Sequence, residues 1–250
     1  MRRLHPSASA DTTLDDAGLL DGYRLPEERS LRVNFITSLD GMATVDGVSE
    51  GLGSSGDRRV FRVLRALADV VLVGHGTAAA EGYRPVTADS PVGRIRASIG
   101  RPPTLPIAVV SRQASLDPGS ALVTAAVSPT VLVTCAAADT GRRAALADAG
   151  VIVLVCGDED VDLPLALDRL AELGHEQVLC EGGPTLFHAA LTAGVVDELD
   201  LSLAPALVGG GETPLLRAAL PDMAVLGLRQ VLEEDGVLFT RYGVRRSLLD

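Results

Sequence analysis

Tryptophan is absent from this chain, and aromatic residues make up only 3% of its 250 positions. Stacking platforms for single-stranded nucleic acid are built from such rings, so that function is disfavoured at the outset. Positive charge is also in deficit. The formal charge is −11, whereas a general nucleic-acid binder draws its affinity from basic side chains on phosphates, and the same balance gives no support for an anionic membrane surface. A small anionic ligand can still be held by a local basic pocket. Cysteine is scarce and odd in number: Cys135, Cys156 and Cys180 are widely spaced, each in or beside an apolar run. Buried free thiols in a reducing cytoplasm are expected, with a disulfide or metal role as the alternative. No zinc pattern occurs, and His5, His75, His175 and His188 lack ligand spacing, so no metal is expected; only His75, in a glycine turn, falls near a candidate site.

Long apolar runs are missing too. Residues Met1 to Gly18 are polar and Asp-rich after two arginines, without the apolar core of a signal peptide, and read as a mobile extension. Between Asp117 and Asp139 no residue is charged, but Pro129 and several Ser and Thr residues split the stretch into two strand-like pieces of core. There are no internal repeats, and no composition shift marks a second domain. With 47% hydrophobic residues the chain has ample material for one large core.

Two glycine turns carry the chemistry. Val178, Leu179 and Cys180 form a short apolar strand ending in Glu181, followed by Gly182, Gly183, Pro184, Thr185, Leu186 and Phe187. The glycines allow close backbone approach and the proline opens a helix, whose unpaired N–H groups can cradle a diphosphate over Gly182–Thr185; an ordinary tight strand-to-helix turn is the alternative. A second apolar strand, Asp69 to Val73, closes on Gly74, His75, Gly76 and Thr77 before alanine-rich, helix-like sequence. Two such turns at the carboxyl ends of two buried strands are what a dinucleotide site in an open α/β sheet requires.

Around them, Leu31 to Ile36 reads as a strand ending in Thr37, Ser38, Leu39, Asp40 and Gly41. Asp57 to Leu67 has helical apolar spacing at Val60, Phe61, Val63, Leu64 and Leu67. It carries Arg58, Arg59, Arg62 and Arg65, of which three are expected on a solvated face and one in the ligand crevice. Strands at Ile107–Val110, Thr130–Thr134 and Val151–Val155 alternate with helices at Thr140–Ala149 and Leu163–Leu173, which indicates a largely parallel sheet. Ser90 to Pro103 reads as a loop. Asp197–Leu203 follows as a strand, and Leu228–Leu232, the turn Asp235-Gly236 and Val237–Val244 form a closing antiparallel hairpin.

Asn34–Gly41, Leu64–Asp69, Gly74–Thr77, Glu181–Leu186 and Val196–Leu199, with Ala204, Pro205 and Gly209–Gly211, together resemble the RibD C-terminal reductases. These are NADPH-dependent pyrimidine reductases of riboflavin biosynthesis. The resemblance runs from about Leu31 to Tyr242 and implies a dihydrofolate reductase-like three-layer α/β/α fold, with residues 1–30 as an extension and 31–250 as the reductase domain. It implies NADPH as cofactor, a phosphorylated pyrimidine as substrate, a homodimer and a cytoplasmic setting. No His-x-Glu or Pro-Cys-x-x-Cys is present and little chain precedes Leu31, so a reductase standing alone, without the zinc deaminase domain of bifunctional members, is expected.

Residue by residue, the resemblance places Thr37, Asp40, Gly51, Thr77 and Glu81 near the nicotinamide half and Gly182, Gly183, Pro184, Thr185 and Leu186 on the diphosphate, with Gly74 and Gly76 also in the cofactor site. Ser111 and Arg112, directly after the Ile107–Val110 strand, are candidates for the adenosine 2′-phosphate, since a guanidinium grips phosphate bidentately. For the substrate it points to Arg65, Ser49 and Glu181, with Arg84 on a ribose phosphate. Glu181 is expected either to meet a pyrimidine edge or to cap the Gly183 turn, and Asp40 to shape its own turn rather than move a proton. Glu81-Gly82-Tyr83-Arg84-Pro85 departs from the Asp-Asp-Pro of bifunctional members in a loop near the substrate. The expected reaction converts a ribosylaminopyrimidine 5′-phosphate to its ribitylamino form. A dihydrofolate- or pterin-like reduction and a non-catalytic NADPH-binding protein are the alternatives.

Overall fold

The computed structural model describes residues 1–6, 13–24 and 28–245. Their elements are, in order, β1 (Arg2–His5), α1 (Asp16–Tyr23), β2 (Ser30–Ser38), α2 (Ser55–Leu67), β3 (Val70–Gly74), α3 (His75–Ala80), α4 (Pro91–Ser98), β4 (Ile107–Val110), α5 (Ala121–Thr124), β5 (Val131–Thr134), α6 (Thr140–Asp148), β6 (Ile152–Val155), α7 (Leu163–Glu172), β7 (Gln177–Cys180), α8 (Pro184–Thr192), β8 (Glu198–Ala204), β9 (Val225–Glu234) and β10 (Val237–Arg245).

Among the described residues all ten strands join one sheet, ordered β1-β9-β10-β8-β2-β7-β3-β4-β5-β6. From β8 to β6 the pairings are parallel, and β1, β9 and β10 extend that sheet antiparallel. Valine, leucine and isoleucine crowd the parallel strands because both faces are covered. One face packs Val60, Val63 and Leu64 of α2 with Leu122 and Leu146; the other packs Leu167 and Leu170 of α7 with Phe187 of α8. The expected three layers and mostly parallel sheet are therefore present. The closing hairpin turns at Asp235 and Gly236, both at positive φ.

Three expectations are corrected. The described part of the polar N-terminus is built into the fold: β1 pairs with β9, Leu19 and Tyr23 are fully buried, and the Met1 amino group lies 3.0 Å from Glu234 Oε2. Its aspartates made the segment look unstructured, yet Asp15 caps α1 through the Gly18 N–H and Asp16 pairs with Arg59. Arg59, expected on a solvated face, is thereby a joint between α1 and α2. Positions 7–12 and 25–27 of the expected extension, and 246–250 of the expected domain, lie outside the described residues. The Ser90–Pro103 stretch is likewise no simple loop. Ser90 accepts the Gly93 N–H and Pro91 opens α4, which brings buried Arg96 onto the carbonyls of Ala66 and Ala68 at the end of α2.

Between β2 and β3 in the sheet lies β7, which enters the chain a hundred residues later. That insertion brings the two glycine turns together at the carboxyl end of the sheet: the Gly74 N–H donates to the Gly182 carbonyl at 2.7 Å.

Candidate active site

A cavity of about 730 Å³ opens at this end, within the size range of small-molecule sites. Its floor is Glu181, where β7 stops. The carboxylate is buried and takes the Arg65 guanidinium side-on, Nε to Oε1 and Nη2 to Oε2, both at 2.7 Å. The Tyr83 hydroxyl donates to the same Oε2 at 2.6 Å. Arg65 reaches it from the last turn of α2, and the Phe61 ring, one turn earlier on that helix, lies 4.2 Å under the guanidinium, with the Tyr83 ring 5.2 Å away. Burial works against the charge of Arg65, but Glu181 outweighs it and holds the guanidinium above its ordinary pKa. Burial, reinforced by Glu181, pushes the Tyr83 phenol well up, so it stays a proton donor.

The second turn supplies a helix end. Gly183 is the N-cap of α8 and offers no side chain, while Pro184 occupies the first turn; the N–H groups of Thr185 and Leu186 lie in that uncapped first turn, and both residues line the cavity. Gly182 is at φ +81°, and a Cβ there would lie 2.5 Å from the Phe35 ring. The Gly182–Gly183 peptide is cis. Gly183 itself has an ordinary φ of −69°, and what a side chain there would strike is Thr77 Oγ1, at 2.4 Å.

Of the sequence-based candidates, Ser49, Arg65, Gly74, Gly76, Thr77, Glu81, Arg84, Glu181, Gly183, Pro184, Thr185 and Leu186 line this one cavity. Glu81 accepts the Ser49 backbone N–H at 2.8 Å, tying α3 to the loop after β2. The others stand apart. Thr37 is fully buried in β2, and Gly51 packs against Val45. Asp40 accepts the Ser38 hydroxyl and the N–H groups of Val208 and Gly209, bonds that lower its pKa to about 2; it shapes its turn, as expected. Ser111 accepts the Ser115 N–H. Arg112 is exposed and engaged with Asp160 and the Glu159 carbonyl. Glu181 caps no turn: its oxygens are held by Arg65 and Tyr83.

Four of the lining residues that sequence reasoning missed bear on the chemistry. Phe61 reads as a core position and Tyr83 as part of a divergent loop, and Asp57 reads only as the start of a helix. Arg217 lies 152 positions from Arg65 and arrives through loop stitching: the Thr44 hydroxyl and the Asp46 N–H both donate to Glu212, Ala43 N–H donates to the Thr213 carbonyl, and Thr213 Oγ1 accepts from Arg217. Nothing local signals it. Cys135, Cys156 and Cys180 are free and buried, and burial pushes the Cys180 thiol up to about 12. Among the described residues no acid, His and Cys cluster is arranged for a metal, and no helix is long and apolar enough to cross a membrane.

The model of the RibD C-terminal domain matches residues 29–233. A 2,5-diamino-6-ribosylamino-4(3H)-pyrimidinone 5′-phosphate reductase from Methanothermobacter thermautotrophicus is 35% identical over 185 residues, 74% of this chain and 81% of that protein. A riboflavin biosynthesis protein RibD from Mycobacterium tuberculosis is 28% identical over 79% of this chain, which spans 47% of that longer relative. Among solved structures, a pyrimidine reductase-like protein from Corynebacterium diphtheriae superposes with a TM-score of 0.80 at 30% identity, covering 92% of this chain and 99% of that one.

Proposed function

Because the chain belongs to the RibD C-terminal domain family, we propose that it reduces a ribosylaminopyrimidine 5′-phosphate to the ribitylamino compound with NADPH. The substrate is 5-amino-6-(5-phosphoribosylamino)uracil or its 2,5-diamino analogue. The observation that carries this reading is that one cavity holds both a helix N-terminus without a side-chain cap and the Arg65–Glu181 pair.

The residues present fit the cofactor. A side chain at Gly183 would close the gap between the two turns, while at Gly76 a Cβ would meet open space, so backbone is laid bare along the cavity. Bound NADPH supplies the hydride. Thr185 and Leu186 hold its diphosphate by their N–H groups, with no basic side chain needed. Ser111 and Arg112, at the end of β4 two strands from β7, would hold the 2′-phosphate. Arg112 must leave Asp160 to do so, and a pair this exposed, 56% and 81%, resists by no more than about 1 kcal/mol. Thr37, Asp40, Gly51, Gly74 and Glu81 set the backbone around the nicotinamide.

Glu181 already neutralises Arg65, so the guanidinium's free edge reads a neutral acceptor such as a pyrimidinone carbonyl, with Ser49 beside it. The phosphate falls to Arg84 and Arg217, both exposed on the cavity and without a carboxylate partner among the described residues. A homodimer and a cytoplasmic setting belong to the same reading.

Oxidation of NADPH, followed with the phosphorylated substrate, its dephosphorylated form and dihydrofolate, tests it. Turnover of the phosphorylated ribosylaminopyrimidine with strong preference over both others is expected. Preference for dihydrofolate, or NADPH binding without any turnover, overturns it, and sedimentation of the intact chain decides the dimer.

A further inference from the structure

Turning a ribosylamino into a ribitylamino group adds two hydrogens. The substrate accepts a hydride at C1′, the C1′–O4′ bond breaks with its electron pair going to O4′, and O4′ takes a proton. Three carboxyl groups line the cavity. Glu181 is occupied by Arg65 and Tyr83, and Glu81 accepts the Ser49 N–H. The Tyr83 proton is itself committed to Glu181.

Asp57 remains. It sits in the first turn of α2, where its backbone N–H donates to the Ser54 hydroxyl oxygen, and it lines the cavity. No arginine pairs with it among the described residues; Ser202 of β8 is its side-chain hydrogen-bond partner. We propose that Asp57 is the general acid of this site, giving O4′ the proton that accompanies the hydride and regaining one from water after product leaves; the proposal rests on the reductase reading above.

The surroundings suit the role. Burial raises the Asp57 pKa, and the Ser202 hydroxyl and Arg58 on its own helix offset this only in part. Behind it, Glu234 of β9 approaches Gly56 but is bound by Arg59 and the Met1 amino group. Across the cavity stand the neutralised Arg65–Glu181 pair, neutral Tyr83, Glu81, Arg84 and Arg217. An acid that must be protonated gives activity on the low-pH side of its pKa and loses it as pH rises through that value.

Asp57→Asn keeps the shape and the contact with Ser202 while removing the proton. It should bind NADPH within about twofold of wild type, and its kcat should fall at least about hundredfold, the usual scale of general-acid catalysis, with the high-pH limb of the profile gone. Infrared difference spectra across pH, taken without cofactor or substrate, should show a protonated carboxyl C=O band that titrates in wild type and is absent from the variant. Ser202→Ala removes the hydroxyl favouring the ionised form, so it should move the limb to higher pH while keeping kcat on its acid side. It also decides the matter if Asp57→Asn fails to fold. A kcat within threefold of wild type with the limb intact, or a limb that Ser202→Ala leaves in place, overturns the assignment. Wild-type protein inert towards the ribosylaminopyrimidine overturns the reductase reading instead, and the infrared titration still reports on Asp57.

Discussion

Two arginine–carboxylate assemblies lie in this molecule, and they differ chiefly in what covers them. In the first, Arg32 of β2 lies in the sheet with 3% of its side chain exposed, 2.6 Å from Glu198 and 3.1 Å from Asp200 on β8; Arg229 and Arg241 also converge on Glu198, and the carbonyls of Gly22 and Tyr23 at the end of α1 close the assembly. The second is Arg65, Glu181 and Tyr83. Its pair is nearly as buried and as short, but one edge borders a cavity of about 730 Å³. Buried ion pairs add little net stability yet are costly to break, so enclosure makes the first a structural lock. The opening makes the second available to a ligand. Chemistry alone does not separate structure from function here; access does.

The largest expected effect breaks the enclosed assembly. Arg32→Ala leaves Asp200 without its nearby cation and Glu198 to Arg229 and Arg241 alone, and should cost about 3–5 kcal/mol in denaturant unfolding; a loss below about 1 kcal/mol would show that water reaches this assembly as it reaches the other.

Next comes its pH dependence. Arg32 comes within 3.1 Å of Asp200 without making a hydrogen bond to it, and burial outweighs that cation, raising the Asp200 carboxyl to about 7. Unfolded chains release that proton near pH 4, so between about pH 4 and 7 the folded state holds the extra proton and stability falls as pH rises, by at most about 1.4 kcal/mol per unit. Asp200→Asn should flatten that slope in thermal melts across the window. An unchanged slope would assign it to another group.

At the open assembly the cost moves from stability to turnover. Arg65→Ala should lower kcat/KM roughly ten- to several-hundred-fold, or about 1.5–3 kcal/mol, with NADPH affinity unchanged in a binding titration. Activity within twofold of wild type would make this pair structural like the first. Smallest is Tyr83→Phe, which loses one hydrogen bond to a carboxylate and keeps the ring over Arg65. It should raise KM for the pyrimidine about three- to tenfold, with little change in kcat, less than the full worth of a bond to a carboxylate because Arg65 still holds Glu181; a change confined to kcat would place the phenol in the chemical step.

The contrast also explains what could be read from residue order. Gly182 and Gly183 announce their turn because a positive φ at the first and the closeness of Thr77 to the second leave no room for a side chain, and Arg65 is one of four arginines on a helix with an apolar stripe, set apart by the resemblance rather than by spacing. The strand pattern around Val71 and Val131 likewise announces a buried parallel sheet. Asp57 and Tyr83 carry no such signal. Their significance comes from β7 inserting between β2 and β3 and from the loop after α3 folding back over Glu181, both relations between distant segments. The N-terminal segment misled for a related reason: capping aspartates and solvated ones have the same letters, and only the buried Leu19 and Tyr23 distinguish them.

Tyr83 has a consequence for observation as well. With no tryptophan and three tyrosines, the ultraviolet emission of this protein comes from phenols alone. Tyr23 is buried at the end of α1 and Tyr242 belongs to the sheet, so Tyr83 is the tyrosine at the cavity wall, its hydroxyl on the Glu181 carboxylate. A ligand that loosens this contact and does not itself absorb at these wavelengths changes that emission, and the chain carries an optical gauge of its own occupancy without a label.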